Sequence, residues 1–492
     1  MVDTRERRIY LDYAATTPLD PAVRRAMLPY LGAAFGNPSS LHSFGQEAQA
    51  AVDRSRETVA RLLGVGFRDV VFTGSATEAN NLALRGVIGM ARQSKRQARR
   101  VSPLASGVSA GLAEHLRSRA AALRDVPSGI PSSLTGRGSV LPKVVVSAVE
   151  HESIMETARD MERVGEAEVV VVPVDREGIV DLGALERALD ERTVLVSIQY
   201  VNNETGVVQP VAKISEIIRN FREEKRKKKK EIGNDASSFF SFPFSYPLLH
   251  TDAVQAFNYL DCALPELGVD LMTLSAHKCY GPKGVGVLAM GNRQPTTDNR
   301  QRNRSTLHSS GYTLAPIVTG GGQEFGIRSG TENVAGIVGC AAALALAAER
   351  RERDAGKVGK LKKLFLIELL KRVPGTELNG VLSGTQRRNL GDCKGFAFAA
   401  PRSHAPHILN IALPQESKAC TLELVVALDQ HGVAVSLGSA CASRMTAPSH
   451  VLQAMGMPDE RIRRSLRVSF GRPTTRGEVL EAVRRMGEVL EG

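Results

Sequence analysis

The sequence predicts an α/β protein: a large domain with a mostly parallel sheet flanked by helices, and a smaller α+β domain. Short apolar strands alternate with helical stretches from about residue 20 to residue 340, which is typical of doubly wound parallel sheets. After a long alanine-rich helix the pattern changes to short strands, a helix and a Gly/Ser loop. We therefore expect a large domain over 20–347 and a small domain that joins 1–19 to 348–492.

The individual elements follow from hydrophobic periodicity and from turn residues. Strands are predicted at 69–73, 143–148, 168–174, 193–200, 248–255, 269–274, 285–290 and 408–413, with the strands at 168–174 and 269–274 buried. Helices are predicted at 21–30, 47–63, 182–189, 211–221, 357–372 and 422–431, with a further helix ending near Arg351 and another opening at about residue 78.

Three stretches interrupt the large domain and are predicted to be loop insertions, at about 93–142, 222–247 and 291–312. They contain lysine and arginine runs that together account for the whole net charge of +12. Such runs are usually solvated surface, although they could also bind an acidic partner. Because the rest of the chain is close to neutral, we expect no nucleic-acid partner.

The cysteines and the hydropathy indicate in which cellular compartment the protein is expected. The six cysteines are scattered and form no C-x-x-C pair, so neither a disulfide scaffold nor a zinc ribbon is expected. No apolar run reaches the roughly 18 residues that a membrane-spanning helix needs, and the N-terminus does not resemble a signal peptide. We expect a cytoplasmic protein in a reducing compartment, with no membrane contact and no metal site.

Polar side chains lie at the ends of four of the predicted strands: His151, Asn203, Asp252 and Lys278. Open α/β sheets place their sites at the carboxyl ends of the strands, so we expect these side chains to lie together. A lone lysine is usually a solvated surface residue. A partly desolvated lysine can instead lose its proton and form a Schiff base with an aldehyde.

A helix opens directly after the strand at 69–73, through Gly74-Ser75-Ala76-Thr77-Glu78. The free backbone N–H groups and the helix dipole favour a phosphate there, although an ordinary helix cap explains the motif equally well by itself. Together with Lys278, Asp252 and His151 it fits one cofactor, pyridoxal phosphate. Its aldehyde needs a lysine, its ring nitrogen a carboxylate, and its phosphate a helix N-terminus.

The sequence resembles the class V aminotransferase family and, within it, the cysteine desulfurases and selenocysteine lyases. The matching motifs span nearly the whole chain in order: LDYAATTP (11–18), GNPSS (36–40), SATEANNLAL (75–84), EHES (150–153), NNETG (202–206), HTDAVQA (250–256), SAHKCYGPKG (275–284), GGGQEFGIRSGTEN (320–333), GSACAS (438–443) and LRVSFGR (466–472). The resemblance implies a pyridoxal-phosphate-dependent fold type I, with a sheet of seven strands, and a homodimer whose cofactor lies near the subunit interface.

The resemblance also implies a role for each site residue. Lys278 would form the Schiff base, Asp252 would pair with the ring nitrogen, His151 would stack on the ring, and Gln255 would hydrogen-bond the ring hydroxyl. Asn203 would lie beside Gln255. The phosphate would be held by Ala76, Thr77, Ser275 and His277, joined by Thr331 from the other subunit. Arg467 would bind the substrate carboxylate, with Asn37 as a further substrate-binding residue.

Cys441 decides the chemistry that the resemblance implies. A lone cysteine is usually a small core residue, but Cys441 lies in a loop of small residues that could carry a thiolate to the substrate. Cysteine desulfurases take sulfur from L-cysteine, leaving L-alanine and an enzyme persulfide that supplies a sulfur-acceptor protein, for example in iron–sulfur cluster assembly. Selenocysteine lyases act on L-selenocysteine instead.

The sequence of the Cys441 loop favours the desulfurase over the lyase. A non-catalytic relative that acts only by binding is the alternative from another class of protein. The presence of Lys278, Asp252, His151 and Cys441 together argues against that alternative.

Overall fold

The structure is a computed structural model that describes residues 8–101, 141–231, 246–291, 314–380, 403–414, 421–437 and 448–491. Its centre is a sheet of seven strands with an apolar core on each face. Side chains that alternate along one strand reach the two cores in turn. Val145 packs in one core, whereas Val144 and Val146 pack in the other.

The strands are β1 (Ile9–Tyr10), β2 (Val70–Thr73), β3 (Lys143–Ser147), β4 (Glu168–Val172), β5 (Thr193–Ser197), β6 (Leu248–Asp252), β7 (Leu271–Ser275), β8 (Gly286–Met290), β9 (Glu377–Asn379), β10 (Ile408–Ala412), β11 (Val433–Ala434) and β12 (Ser465–Ser469). The helices are α1 (Pro21–Met27), α2 (Ser43–Leu63), α3 (Ala76–Val101), α4 (Glu152–Arg163), α5 (Leu182–Ala188), α6 (Val211–Glu231), α7 (Leu264–Leu267), α8 (Val334–Arg372), α9 (Thr421–Gln430), α10 (His450–Ala454), α11 (Asp459–Arg463) and α12 (Arg476–Glu491).

The seven-stranded sheet has the order β2-β8-β7-β6-β5-β3-β4. Strand β8 runs antiparallel to both β2 and β7, and the remaining neighbours are parallel. The prediction of a mostly parallel sheet is therefore confirmed. The parallel strands β3, β5, β6 and β7 end at the same edge, so the polar residues that follow them meet there.

The strand β4 lies at the edge of this sheet and is not fully buried, so its predicted burial was wrong. Its Val171 side chain is 47% exposed. The apolar run 168–174 predicts a central strand because such strands are covered on both faces. An edge strand with the same sequence lacks part of that cover.

Two helices run further than the sequence predicted. The helix α3 continues to Val101, into the basic stretch assigned to the first insertion, and α6 continues to Glu231 rather than ending at Phe221. Lysine, arginine, glutamine and glutamate are all good helix formers. A run of charge without glycine or proline therefore does not end a helix.

The helix α8 is continuous from Val334 to Arg372, where the sequence predicted two helices. Gly356 is accommodated within it, at a cost of about 1 kcal/mol relative to alanine. The part up to Ala347 packs in a core of the large sheet, and the part from Val358 onward packs in a separate core. The domain division at residue 347 falls in this helix and stays a prediction.

The second core belongs to the smaller sheets. The strands β9, β10 and β12 form an antiparallel sheet in the order β12-β10-β9, and β1 pairs in parallel with β11. The N-terminal strand is therefore paired with a strand near the other end of the chain. No helix in the described ranges is long and apolar enough to cross a membrane.

Candidate active site

A cavity of about 490 Å³ lies at the carboxyl edge of the parallel strands. It is lined by residues that follow β3, β5, β6 and β7 and by the N-terminus of α3. The structure brings ten of the predicted site residues to it: Ala76, Thr77, His151, Asn203, Asp252, Gln255, Ser275, His277, Lys278 and Arg467.

The end of the cavity formed by Ala76 and Thr77 depends on the close approach of two strands. Gly286 of β8 pairs with Thr73 on one side and with Ser275 on the other. A Cβ atom at Gly286 would lie only 2.4 Å from the carbonyl carbon of Ser75. Glycine therefore brings the first turn of α3, with its free N–H groups, beside the turn that carries Lys278.

Lys278 is held by a turn near the N-terminus that contains Ala14 and Ala15. Its Nζ donates hydrogen bonds to the carbonyl oxygens of Ala14 at 2.6 Å and Ala15 at 2.7 Å. Burial, together with the nearby Arg467 guanidinium, lowers the pKa of Lys278 to about 8. A substantial fraction of this amine is neutral near physiological pH, which a nucleophilic lysine requires.

Asp252 is buried at the end of β6 and is oriented by two donors. Asn80 Nδ2 donates to Asp252 Oδ2 at 2.8 Å, and the backbone N–H of Val254 donates to Asp252 Oδ1 at 3.0 Å. Asn80 Nδ2 also lies 2.8 Å from the hydroxyl of Ser153. The carboxylate is thus fixed in direction while it lines the cavity.

Two histidines face the cavity as neutral rings. Burial lowers the pKa of His151, and burial together with Lys278 lowers the pKa of His277 to about 4. His151 Nδ1 accepts from the backbone N–H of Ser153 at 3.1 Å, and His277 Nδ1 lies 3.1 Å from the hydroxyl of Thr16. Neither ring therefore brings a competing positive charge to Lys278.

Arg467 is almost fully buried, with 1% of its surface exposed. It donates from Nη2 to Asp12 Oδ1 at 2.8 Å and from Nη1 to the carbonyl oxygen of Asn203 at 3.0 Å. Its backbone also pairs with Ser436, at 2.7 and 3.1 Å. The guanidinium is therefore a rigid positive group at the wall of the cavity.

Three predicted site residues do not lie in this cavity as described. Asn37 is exposed, and its Oδ1 accepts from the backbone N–H of Ser39 at 3.0 Å. Thr331 is exposed as well. Cys441 lies in 438–447, outside the described residues.

The described residues on either side of 438–447 contact a residue that lines the cavity or the chain neighbour of one. On the N-terminal side, Ser436 pairs with Arg467. On the C-terminal side, Ser449 Oγ donates to Glu204 Oε2 at 2.6 Å, and His450 Nε2 donates to the carbonyl oxygen of Glu150 at 3.0 Å. Of the residues contacted, Arg467 is itself a predicted site residue, Glu204 follows Asn203, and Glu150 precedes His151.

Another cysteine, Cys279, adjoins Lys278 but is a poor nucleophile. Its side chain is buried, and burial raises the pKa of the Cys279 thiol to about 12. Because the thiolate is the reactive form, Cys279 acts as a core residue.

The described residues also hold no group of three or more His, Cys, Asp or Glu arranged to bind a metal.

A family model described as aminotransferase class-V matches residues 9–101, 122–223 and 246–481, which include the cavity residues described above. The chain belongs to this family. The match covers the strand ends, the N-terminal turn and the helix at Ala76, which together line the cavity.

The similarity to known proteins extends over almost the whole chain. The cysteine desulfurase IscS of Dictyoglomus turgidum is 32% identical over 488 residues, covering 99% of this chain and 96% of that protein. A solved NifS-like protein superposes with a TM-score of 0.70 at 28% identity and covers 98% of this chain and 99% of its own. SspA, solved in complex with cysteine, superposes with a TM-score of 0.63 at 25% identity. The superposition covers 94% of this chain and 99% of the SspA chain.

Sequence reasoning missed several residues that support the site. The carbonyl oxygens of Ala14 and Ala15 carry no sequence signal, because any residue supplies one. Asn80 was detectable in principle, since it lies four positions after Ala76 and so on the same face of the helix. His407, which lies 3.3 Å from Gln255, had no nearby motif to mark it.

Proposed function

We propose that this chain is a pyridoxal-phosphate-dependent cysteine desulfurase that takes sulfur from L-cysteine, leaves L-alanine and carries the sulfur first on Cys441. The observation that supports it most directly is Lys278, an amine with a lowered pKa that shares one cavity with Asp252 and the N-terminus of α3. The similar proteins named above are a cysteine desulfurase, a NifS-like protein and SspA, which was solved in complex with cysteine.

The donor set fits the cofactor at each of its ends. Because Gly286 has no Cβ atom, the start of α3 can lie against β8. The first N–H groups of α3 suit a phosphate. Asp252, fixed by Asn80 and Val254, suits a protonated ring nitrogen. Lys278 suits the aldehyde. When bound, pyridoxal phosphate supplies an aldehyde that links to amines and a ring that withdraws electrons from the α-carbon of the substrate.

The protein's own residues divide the remaining work. Arg467 would bind the substrate carboxylate with the two-pronged geometry that a guanidinium offers. His151 would cover one face of the cofactor ring and exclude water from it. The Nζ of Lys278, neutral in part near physiological pH, would take the proton from the substrate α-carbon.

Cys441 would complete the reaction. Its thiolate forms a bond to the substrate sulfur as the sulfur–carbon bond breaks, and the carbon keeps the bonding electron pair and takes a proton. Alanine then leaves, and the sulfur remains on Cys441 as a persulfide. Two described residues on either side of 438–447 support this role, because Ser436 pairs with Arg467 and Ser449 donates to Glu204, the neighbour of Asn203.

Selenocysteine lyase is the second candidate because it would use the same cofactor residues. The name of the Dictyoglomus turgidum relative favours the desulfurase. Turnover of L-cysteine and L-selenocysteine should be compared under equal conditions by measuring alanine release. Ready turnover of L-cysteine supports the desulfurase, whereas a strong preference for L-selenocysteine would overturn it.

We also propose a homodimer in which Thr331 binds the phosphate in the cavity of the partner subunit. Thr331 is exposed and does not line the cavity of its own chain, which suits a residue that acts on a second subunit. A sulfur-acceptor protein that discharges Cys441 is part of the same proposal. The cytoplasmic location stays a prediction from the sequence.

A further inference from the structure

His407 connects the smaller sheet to the cavity through Gln255. It directly precedes β10, is 3% exposed, and its Nε2 lies 3.3 Å from Gln255 Oε1. Gln255 lines the cavity, and its Nε2 donates to the carbonyl oxygen of Ala14 at 2.9 Å. A histidine far from the cofactor motifs in sequence therefore contacts a cavity residue directly.

The contacts determine which way the Gln255 amide points. The carbonyl oxygen of Ala14 can only accept, so the amide nitrogen of Gln255 must face it and the amide oxygen must face His407. An amide oxygen also only accepts, so His407 Nε2 must carry the proton and donate it. His407 Nδ1 has no hydrogen-bond partner in the described part of the chain, which suits a nitrogen without a proton.

The rest of the protein holds the His407 ring in place. The ring stacks on Tyr259, with centroids 4.3 Å apart and planes at 27°. The backbone N–H of Phe470 donates to the His407 carbonyl oxygen at 2.9 Å. Burial also lowers the pKa of His407 well below its usual range, so the ring stays neutral with a single N–H.

The carbonyl oxygen of Ala14 joins this network to the reactive lysine. It accepts from Gln255 Nε2 and also from Lys278 Nζ, at 2.6 Å. One of the two N–H bonds of the Gln255 amide is therefore used on Ala14. The other remains for the cavity, which Gln255 lines.

We propose that His407 is a positioning residue that orients the Gln255 amide so that an N–H, and not the carbonyl oxygen, faces the cavity. This inference rests on the proposed function, in which the cofactor presents a ring oxygen near Gln255. An oxygen with negative charge needs a donor. Without the His407 N–H, the Gln255 oxygen would lose its buried donor, and the amide could rotate to present the wrong atom.

Two substitutions separate orientation from packing. His407→Phe keeps a flat ring to stack on Tyr259 but has no donor, whereas His407→Gln keeps an N–H near the position of Nε2. We expect His407→Phe to raise the dissociation constant of pyridoxal phosphate for the apoenzyme roughly tenfold, and His407→Gln to restore it to within roughly twofold of the unaltered protein. Titration of the cofactor absorbance gives both constants.

The same pair of substitutions at the exposed His431 provides the matched control and should change neither constant. Equal weakening by His407→Phe and His407→Gln would overturn the inference, because a purely structural role does not distinguish a donor. A double-mutant cycle adds a second check. In a Gln255→Ala background, His407→Phe should have little further effect, and fully additive effects would contradict the proposal.

The tautomer can be measured without any cofactor or substrate. With ¹⁵N-labelled histidine, the apoenzyme should show one resonance pair with Nε2 protonated and Nδ1 bare that disappears in His407→Gln. A proton on Nδ1 would overturn the inference. Because this readout needs neither cofactor nor sulfur chemistry, it stands apart from the proposed function, which fails if L-cysteine is not turned over.

Discussion

The Nζ of Lys278 donates a hydrogen bond to the carbonyl oxygen of Ala14 at 2.6 Å, across 264 positions of sequence. The turn that contains Ala14 and Ala15 therefore forms one wall of the cavity. Its carbonyl groups place the lysine, and burial lowers the pKa of that lysine to about 8. This contact joins the N-terminal motif of this chain to the motif that contains Lys278.

The first prediction concerns the pH dependence of Lys278. Only the neutral amine attacks an aldehyde. In the apoenzyme, the rate of attachment of pyridoxal phosphate should rise with pH and level off above about 8, rather than near the pKa of about 10.4 for a free lysine. Borohydride trapping at a series of pH values measures it. A rate that still climbs above pH 10 would show that the protein does not lower this pKa.

The second prediction concerns the support of Asp252. Asn80→Ala removes the donor to Asp252 Oδ2, so the carboxylate loses its fixed direction. We expect kcat to fall roughly tenfold with little change in KM, because the loss affects orientation more than substrate binding. Steady-state alanine release measures both constants.

Asn81→Ala is the matched control for Asn80→Ala. Asn81 is the next residue of the same helix, and its Nδ2 donates to the carbonyl oxygen of Thr77 instead of to the cavity. This substitution should leave kcat nearly unchanged. If the two variants lost activity equally, the contact with Asp252 would not be the cause.

The meeting of His151, Asp252 and Lys278 was predictable, because parallel strands deliver the residues that follow them to one edge. The contacts that tune these groups were not. Asn80 reaches Asp252 across 172 positions, and such pairs depend on how α3 packs on the sheet. Periodicity likewise could not tell that Val171 lies on an edge strand, since an edge and a central strand share the same apolar pattern.

The third prediction concerns stability, and it rests on the buried ion pair between Arg56 and Glu324. Arg56 donates to both oxygens of Glu324, at 2.7 and 2.8 Å, and Phe72 N donates to Glu324 Oε2 at 3.0 Å. Glu324→Gln would leave the Arg56 charge buried without its counterion. The free energy of unfolding should fall by roughly 3 kcal/mol, measured by urea denaturation.

A surface pair tests whether burial is the reason. Arg159 and Glu156 form an ion pair at 2.8 Å, with side chains 57% and 47% exposed. Glu156→Gln should change the free energy of unfolding by less than about 1 kcal/mol. A loss as large as that of Glu324→Gln would contradict the argument from burial.

The fourth prediction concerns Glu150, whose carboxyl is fully buried. Burial raises the pKa of Glu150 to about 8, so the folded protein keeps it protonated at neutral pH while the unfolded chain ionises it. The folded state thus binds more protons between roughly pH 4.5 and pH 8. The stability due to this group is complete below that window and is lost as the pH rises through it.

Denaturation at several pH values measures this effect. The free energy of unfolding should fall by up to about 5 kcal/mol across the window in the unaltered protein. Glu150→Gln has no proton to lose, so its stability should depend much less on pH. Identical pH profiles for the two proteins would show that Glu150 is ionised in the fold.

The most direct test of the proposed function is mass spectrometry of the intact protein and its peptides after L-cysteine is added to the cofactor-loaded enzyme. We predict that the peptide containing Cys441 gains one sulfur atom, and that Cys441→Ser binds the cofactor but gains no sulfur and releases little sulfide. Sulfur release that continues unchanged in Cys441→Ser, with no persulfide on the unaltered Cys441, would contradict the account.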